Sequence, residues 1–493
     1  MRVAIIGAGT AGVSVLREMV KYEKFKDWYV DVYDTPKNMG KGVPFQNDSD
    51  QLLINLPAKE MSINIENQRE FFDWYQQQNV FKFDNPEYLP RFIFGHYMKS
   101  YLNYYLNQFD NINKISEKVE EVFINSDIGD TQVSYSVCTS MDMTSCRTYD
   151  CVFLTIGTLS YHDPYNLKGT SGYIQTPYPT YNTLDEVKDT DNIAVIGTGL
   201  ASLDVIRYVA EHHPNLPLTV TSRSAKLPRV RGNMPELQFQ YITPENFNTI
   251  KKRHFGNMPL TEAIALFKQE CAHFGISLTE LLSKENRTHV EQLQFDLTHA
   301  EELGTLQSLL EGIKENMNWI WNSFNRQDQE QFLNHYQHIL KENSNPMPPR
   351  TAELLIAEIE NHNIVIKANL QNITYDGQHF CISYGEDKNN CEYYDVIINA
   401  TGSKSHLSEL DGDDQLVLNL ENRQVIQAHP LGGIQIVPET NQVISPRYGT
   451  LHHMFALGQL TNGINQSRNG VNMIVKQAVD VVSCFYSNRK HSL

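Results

Sequence analysis

Two glycine-bearing turns, each set between an apolar strand and a helix, constrain the fold of this chain more than any other feature. The first lies at its beginning: Arg2–Ile6 runs directly into Gly7-Ala8-Gly9-Thr10-Ala11-Gly12, and Val13, Val15, Leu16, Met19 and Val20 follow at helical spacing. A second apolar run over 28–33 then ends in Asp34. The other turn lies further along. The apolar stretch 193–196 leads into Gly197-Thr198-Gly199-Leu200-Ala201-Ser202, then Leu203, Val205, Ile206 and Val209, then a strand over 218–221. That strand ends in Ser222-Arg223-Ser224 rather than in an acid. Strand, glycine turn, helix and strand in this order predict a βαβ unit whose helix N-terminus receives a phosphate, and the chain carries the pattern twice.

Each residue type has a physical part. Gly7 permits the tight turn out of the strand, Gly9 lets the backbone approach a pyrophosphate, and Gly12 lets the helix lie close on the strand. Gly7, Gly9, Ala11 and Gly12 are therefore the expected cofactor contacts of the first turn. Asp34 stands 22 residues beyond Gly12, the distance expected of a carboxylate that accepts from a ribose diol. Gly197, Gly199 and Ser202 are the counterparts in the second turn. An acid after the second strand would repel a 2′-phosphate, whereas Arg223 can pair with it and stack on adenine. Lys226, Arg229 and Arg231 follow in a local basic cluster. This favours NADPH in the second site, with NADH as the alternative.

Two dinucleotide folds in one chain, the first at its beginning, suggest a flavin held by the first and a nicotinamide by the second. Three apolar strands that each end in a glycine support this: 150–157 closing on Gly157, 395–402 closing on Gly402, and 454–458 closing on Gly458. Such segments close each nucleotide fold and mark crossings between domains, which puts these glycines among the expected cofactor contacts. The expected fold class is α/β, with two Rossmann-like dinucleotide-binding domains (FAD and NAD(P)) and a helical insertion. The FAD domain is expected to be discontinuous, over 1–160 and 400–493, and the NAD(P) domain spans 185–399. Residues 119–125 and 132–138 read as strands of a β-meander, and 160–190 as a proline-bearing linker. Between 233 and 348 the pattern turns helical and polar, with helices expected over 261–274 and 287–316. That stretch is too long for a loop and is read as an insertion in the NAD(P) fold, a cap in character. Within it Trp319, Trp321, Phe324, Phe332, Tyr336 and Leu340 recur at helical spacing, which reads as core. Strands resume over 364–373 and 379–384.

Composition excludes other classes. The 493 residues carry 41 Lys+Arg against 58 Asp+Glu, a formal charge of −17, which argues against coating nucleic acid or anionic membrane. No uncharged apolar run approaches the ~18 residues of a membrane span, and nothing resembling a secretory leader precedes the first glycine turn. The seven cysteines (138, 146, 151, 271, 381, 391 and 484) form no CxxC, so scattered reduced thiols in a cytoplasmic protein are expected. The adjacent pairs His212-His213 and His452-His453 lack metal-ligand spacing, no GxSxG elbow occurs, and no metal is expected. Hydride transfer needs no protein nucleophile, because the flavin carries the chemistry. The expected partner is a small-molecule substrate; the sequence does not fix an oligomeric state.

Taken together, the residues resemble the FAD/NAD(P)-binding proteins related to flavin-dependent and N-hydroxylating monooxygenases. The resemblance rests on both glycine turns and on Gly40-Lys-Gly-Val-Pro-Phe45. It rests further on Leu53-Ile-Asn55-Leu-Pro57-Ala-Lys-Glu-Met61-Ser62, Arg91-Phe-Ile-Phe-Gly95-His-Tyr97 and Ala456-Leu-Gly458-Gln-Leu-Thr-Asn-Gly463. It implies Arg91 as a further cofactor contact. It also implies that Asn55 is a catalytic residue beside the reactive edge of the flavin, where its carboxamide donates to a reduced-oxygen species; the other reading makes Asn55 a turn former before Pro57. In two places the chain departs from its relatives: the linker Gly172-Tyr-Ile-Gln-Thr-Pro-Tyr-Pro179 has no histidine, and Gln459 stands where related reductases carry an aspartate. Three functions follow: an FAD-dependent NADPH oxidoreductase that hydroxylates a small organic substrate, a flavoprotein reductase without oxygen insertion, and a flavin-binding sensor or interaction protein.

Overall fold

The computed structural model describes residues 1–125, 133–139, 142–282, 287–385 and 391–488. They divide into two compact units: one of 1–47, 56–160 and 403–493, the other of 48–55 and 161–402.

The first unit is built on a six-stranded sheet in the order Gln442–Ser445, Gly449–Ala456, Cys151–Leu154, Arg2–Ile6, Tyr29–Tyr33, Ile112–Ile115. All neighbours are parallel except the first pair. The central strands read RVAII and CVFL, and every residue but Arg2 is buried, as expected of a parallel sheet covered on both faces. Thr10–Met19 covers one face beside the last helix, Val471–Asn488. Trp28, Phe153, Phe455 and Phe485 interlock edge to face and stacked beneath them. An antiparallel meander, Val119–Ile124, Tyr135–Thr139 and Asp142–Tyr149, precedes the strand that closes the fold. It shares a core with the sheet, where the Tyr149 hydroxyl donates to Asp31 at 2.6 Å.

The second unit repeats the plan. Five parallel strands lie in the order Ile364–Lys367, Leu218–Thr221, Ile193–Ile196, Val396–Asn399, Tyr173–Ile174, and a second meander, Leu370–Tyr375, Phe380–Tyr384 and Cys391–Tyr394, precedes the closing strand. Between Leu218–Thr221 and Ile364–Lys367 the described residues from 244 to 360 are mostly helical, where the insertion was expected. Side-chain caps start three of its helices: Thr243 accepts from Asn246, Thr288 forms a reciprocal capping box with Glu291, and Asn325 accepts from Asp328.

Several expectations are corrected. The linker expected over 160–190 supplies the edge strand Tyr173–Ile174, and 161–184 groups with the second unit, as does 48–55. The helix expected over 287–316 is two, His289–Thr298 and Ala300–Glu315, because Thr298 and His299 bond back onto carbonyls of the preceding turn. The strand expected over 364–373 breaks at Asn369, whose φ of 63° no strand accommodates. Four of the seven cysteines are not scattered thiols: Cys138 pairs with Cys146 and Cys381 with Cys391, each pair joining adjacent strands of a meander. Hairpin geometry brings them together, which spacing alone does not reveal. Among the described residues no helix is long and apolar enough to cross a membrane, and no cluster of metal-ligating side chains occurs.

Candidate nucleotide-binding sites

In the first unit the glycine turn lies where the sheet order reverses, Arg2–Ile6 having Tyr29–Tyr33 on one side and Cys151–Leu154 on the other. Ligands of open α/β sheets bind at such switch points. Gly7 takes a φ of 101°, and a Cβ there would lie 2.3 Å from the Thr155 carbonyl oxygen. A Cβ on Gly12 would lie 2.0 Å from the Gly7 carbonyl oxygen, so this glycine is what lets the helix sit on the strand. Gly9 caps the helix N-terminus without any side-chain partner for the first amides, and Ala11 is buried in the first turn. A Cβ on Gly9 would approach the Gly42 Cα at 3.2 Å, which brings the Gly40-Lys41-Gly42 loop to the turn.

Asp34 does more locally than the sequence reading assigned to it. Its Oδ2 accepts from the Ala8 amide and its Oδ1 from the Thr35 amide, both at 2.8 Å, so it holds the glycine turn as well as offering remaining lone pairs to a ribose. Burial raises its pKa despite those two bonds. Arg91 opens the helix Arg91–Gln108 and is half-buried. Gly157 and Gly458 follow their strands with φ of 78° each, and nothing lies within 4 Å of a Cβ at either position. Gly458 is itself buried, so the room beside it is inside the protein.

Lys41 was quoted only as part of a motif, and its role was missed. It is 5% exposed, donates to Asn47 Oδ1 at 2.5 Å, and has the His96 Nε2 at 3.5 Å. Among the described residues it forms no ion pair. Burial, and then the charge of Lys99, lowers its pKa; burial, then Lys41 and Lys99, lowers that of His96. A buried cation without a counter-ion beside a phosphate-type turn fits an anion. The only signal in the sequence was a lysine between two glycines. Lys404 and Ser160 were also missed: Lys404 Nζ donates to Ser160 Oγ at 2.7 Å and to Asp414 at 3.2 Å, pinning the points where the chain leaves and re-enters the first unit.

In the second unit Gly197 takes a φ of 115°, and a Cβ there would meet the Ala400 carbonyl oxygen at 2.6 Å. Gly199 differs. It caps Leu200–His212 with an ordinary φ of −88°, and nothing lies within 4 Å of a Cβ there. No atom of the chain requires a glycine at this place, whereas a pyrophosphate lying on the helix N-terminus does. Ser202 is fully buried and donates to the Gly199 carbonyl at 2.6 Å. Gly402 follows its strand with a φ of 91° and likewise has nothing near a Cβ. Ser222 stands at the acid position, with its Oγ 3.1 Å from Thr198 Oγ1, and Arg223 is exposed.

The basic cluster read beside Arg223 does not hold together. Arg229 is buried and donates twice to Asp296, at 2.9 and 2.8 Å, and once to the Leu281 carbonyl. Arg231 is buried, and Lys226 pairs with Glu342 at 2.9 Å. Arg223 alone carries the 2′-phosphate argument. Asn55 ends the segment 48–55, which Asp48 ties to Thr180 by bonds of 2.8 and 2.6 Å. The Asn55 Oδ1 is buried and accepts no hydrogen bond.

The fold is that of two-dinucleotide flavoproteins. Residues 4–159 match the FAD-NAD(P)-binding family NAD_binding_9, so the first unit contains an FAD/NAD(P)-binding domain. The chain is 23% identical over 225 residues to the Escherichia coli (strain K12) protein YdhS, a match that covers 43% of this chain and 40% of that protein. Among solved structures it is similar to the ornithine hydroxylase PvdA of Pseudomonas aeruginosa, with a TM-score of 0.59, 11% identity and 99% of both chains covered. The ornithine N-hydroxylase KtzI of Kutzneria sp. 744 gives 0.58 at 10% identity, and the L-lysine 6-monooxygenase of Pseudomonas syringae 0.56 at 12%, each covering 99% of both chains.

Proposed function

We propose that this protein is an FAD-dependent, NADPH-oxidising enzyme that hydroxylates a small organic substrate. The observation that carries the reading is Gly199: its glycine is required by no atom of the chain, and it sits on a helix N-terminus one strand before an exposed arginine. In the first unit the Gly9 helix terminus and Lys41 would hold the FAD pyrophosphate, and Asp34 a ribose. In the second, Gly199 and Ser202 would receive the NADPH pyrophosphate and Arg223 its 2′-phosphate. Bound together, such cofactors supply hydride transfer from nicotinamide to flavin and then reduction of oxygen. Asn55, half-buried with its Oδ1 unpartnered, is the residue whose side-chain amide we assign to donating to the reduced-oxygen species. The fold is shared with three amine hydroxylases, which makes ornithine, lysine and related primary amines the first substrates to try. The reading carries a cytoplasmic location with it.

The absence of a histidine in the 172–179 linker favours a second reading, a reductase that passes electrons to an organic acceptor. Asn55→Ala separates the two. A hydroxylase should keep near-normal anaerobic oxidation of NADPH but lose hydroxylated product to hydrogen peroxide, by about two to three orders of magnitude in coupling for a lost oxyanion donor. A reductase with Asn55 as a turn former should lose FAD retention and stability with no change in the fate of oxygen. Rapid-mixing absorbance with a peroxide assay reads both.

A further inference from the structure

The helical insertion of the second unit holds a partly open apolar cavity of about 240 Å³, well apart in sequence from either glycine turn. Protein interiors are close-packed and tolerate few voids larger than a water molecule. Of the 19 lining residues, 17 are alkyl or aromatic without a polar atom other than sulfur; the exceptions are Lys268 and Tyr336. The floor is fully buried, with Leu306, Leu310 and Met317 6% exposed or less. The walls are only half-buried, among them Phe267, Phe332 and Ile339. The aromatic stripe expected to be core is therefore divided: Trp321 is buried away from the void, while Phe324, Phe332, Tyr336 and Leu340 line it.

The lining specifies what fits. An apolar lining of this kind favours hydrocarbon over water: about 150 Å³ accommodates benzene, so 240 Å³ has room for about ten carbons. Neither polar group on the lining is a carboxylate or a carbonyl; both can donate. Lys268 is exposed, on the same helix as Phe267, and among the described residues forms no ion pair. A ligand with an apolar tail and an anionic head satisfies the walls and the rim together, whereas an amine head would meet the ammonium.

We propose that the helical insertion is a receptor for a free carboxylate with an apolar tail of about ten carbons, seated with its head at Lys268. The inference stands apart from the nucleotide sites, and binding tests it without turnover. Purified full-length protein is titrated calorimetrically with decanoate, decanol and decylamine. Trp319, edge-on to Phe247, and Trp321, edge-on to Phe324 and Phe332, report on the cavity by fluorescence. Decanoate should bind saturably at one site, with decylamine much weaker. Lys268→Glu should weaken decanoate at least about tenfold, as for a lost charge-assisted contact, and leave decanol unchanged. Ala263→Trp, which fills the cavity from a half-buried wall, should abolish both with an unchanged circular dichroism spectrum. The proposal is overturned if decanoate does not bind the wild-type protein, if decylamine binds as tightly, or if folded Ala263→Trp still takes decanoate. Co-sedimentation with phosphatidylcholine vesicles in place of uptake from solution would overturn it in favour of a membrane acyl chain.

Discussion

In the first glycine turn a Cβ on the third glycine, Gly12, would lie 2.0 Å from the Gly7 carbonyl oxygen; in the second, the same place is held by Ser202, whose hydroxyl reaches back to the Gly199 carbonyl at 2.6 Å. The middle glycines differ the other way. Gly9 is pressed against Gly42, while Gly199 faces open space. One pattern thus serves two physical ends. The first turn is built tightly, its glycines fixed by the chain's own backbone and held by Asp34. The second holds a buried serine at the place where the first requires a glycine, and no atom of the chain lies within 4 Å of a Cβ on its middle glycine.

Substitutions that separate folding from binding sharpen this contrast. The largest effect is expected at Gly12→Ala, which forces the first helix off its strand: the protein should lose about 3 kcal/mol of stability, seen as a lowered thermal midpoint. At the equivalent place, Ser202→Ala should be milder, about 1 kcal/mol for one hydrogen bond. Equal losses would erase the distinction. Gly199→Val should leave the thermal midpoint within error yet weaken NADPH by at least about tenfold, about 1.4 kcal/mol, in equilibrium binding. A variant that melts early would mean Gly199 is structural after all.

Arg223→Ala comes next. It should narrow the preference for NADPH over NADH by about 1.5–3 kcal/mol, the cost of a charge-assisted contact, in the ratio of kcat/KM values. Equal losses with both coenzymes would remove Arg223 from the site. The smallest effect concerns the pH dependence of the first unit. His96 has its pKa lowered from 6.5 by burial and by Lys41 and Lys99. A depressed histidine contributes stability that is present above pH 6.5 and is lost as pH falls toward its folded-state pKa. His96→Gln should therefore flatten the fall of the thermal midpoint on acidification in protein stripped of flavin. An unchanged slope would show that His96 is not the group being titrated.

Much of the fold was legible because it is written locally. Each βαβ unit is specified by an apolar run, a glycine turn and a helical period, all within about 30 residues, and side-chain periodicity reports such elements directly. The third glycine of the first turn could be named for the same reason, since the atom it avoids, the Gly7 carbonyl oxygen, lies five residues away. The reading of the cluster after Arg223 failed for the opposite reason. Arg229 looks like a phosphate ligand in the sequence, and only the approach of Asp296, 67 positions on, makes it an internal ion pair.

The chain by itself determined that there would be two βαβ units, each with a glycine turn between strand and helix, and that no acid would follow the second strand of the second unit. Tertiary structure decided everything that depends on which distant side chains share a space. It drew Asp34 onto the Ala8 amide, paired cysteines across two hairpins, left Lys41 buried with no ion pair among the described residues, and bound Ser160 to Asp414 across 254 positions. It also opened a cavity among aromatic residues whose spacing alone read as core. Periodicity records which face of a helix is apolar, but whether that face meets another side chain or a void is set by the volumes that packing brings opposite it.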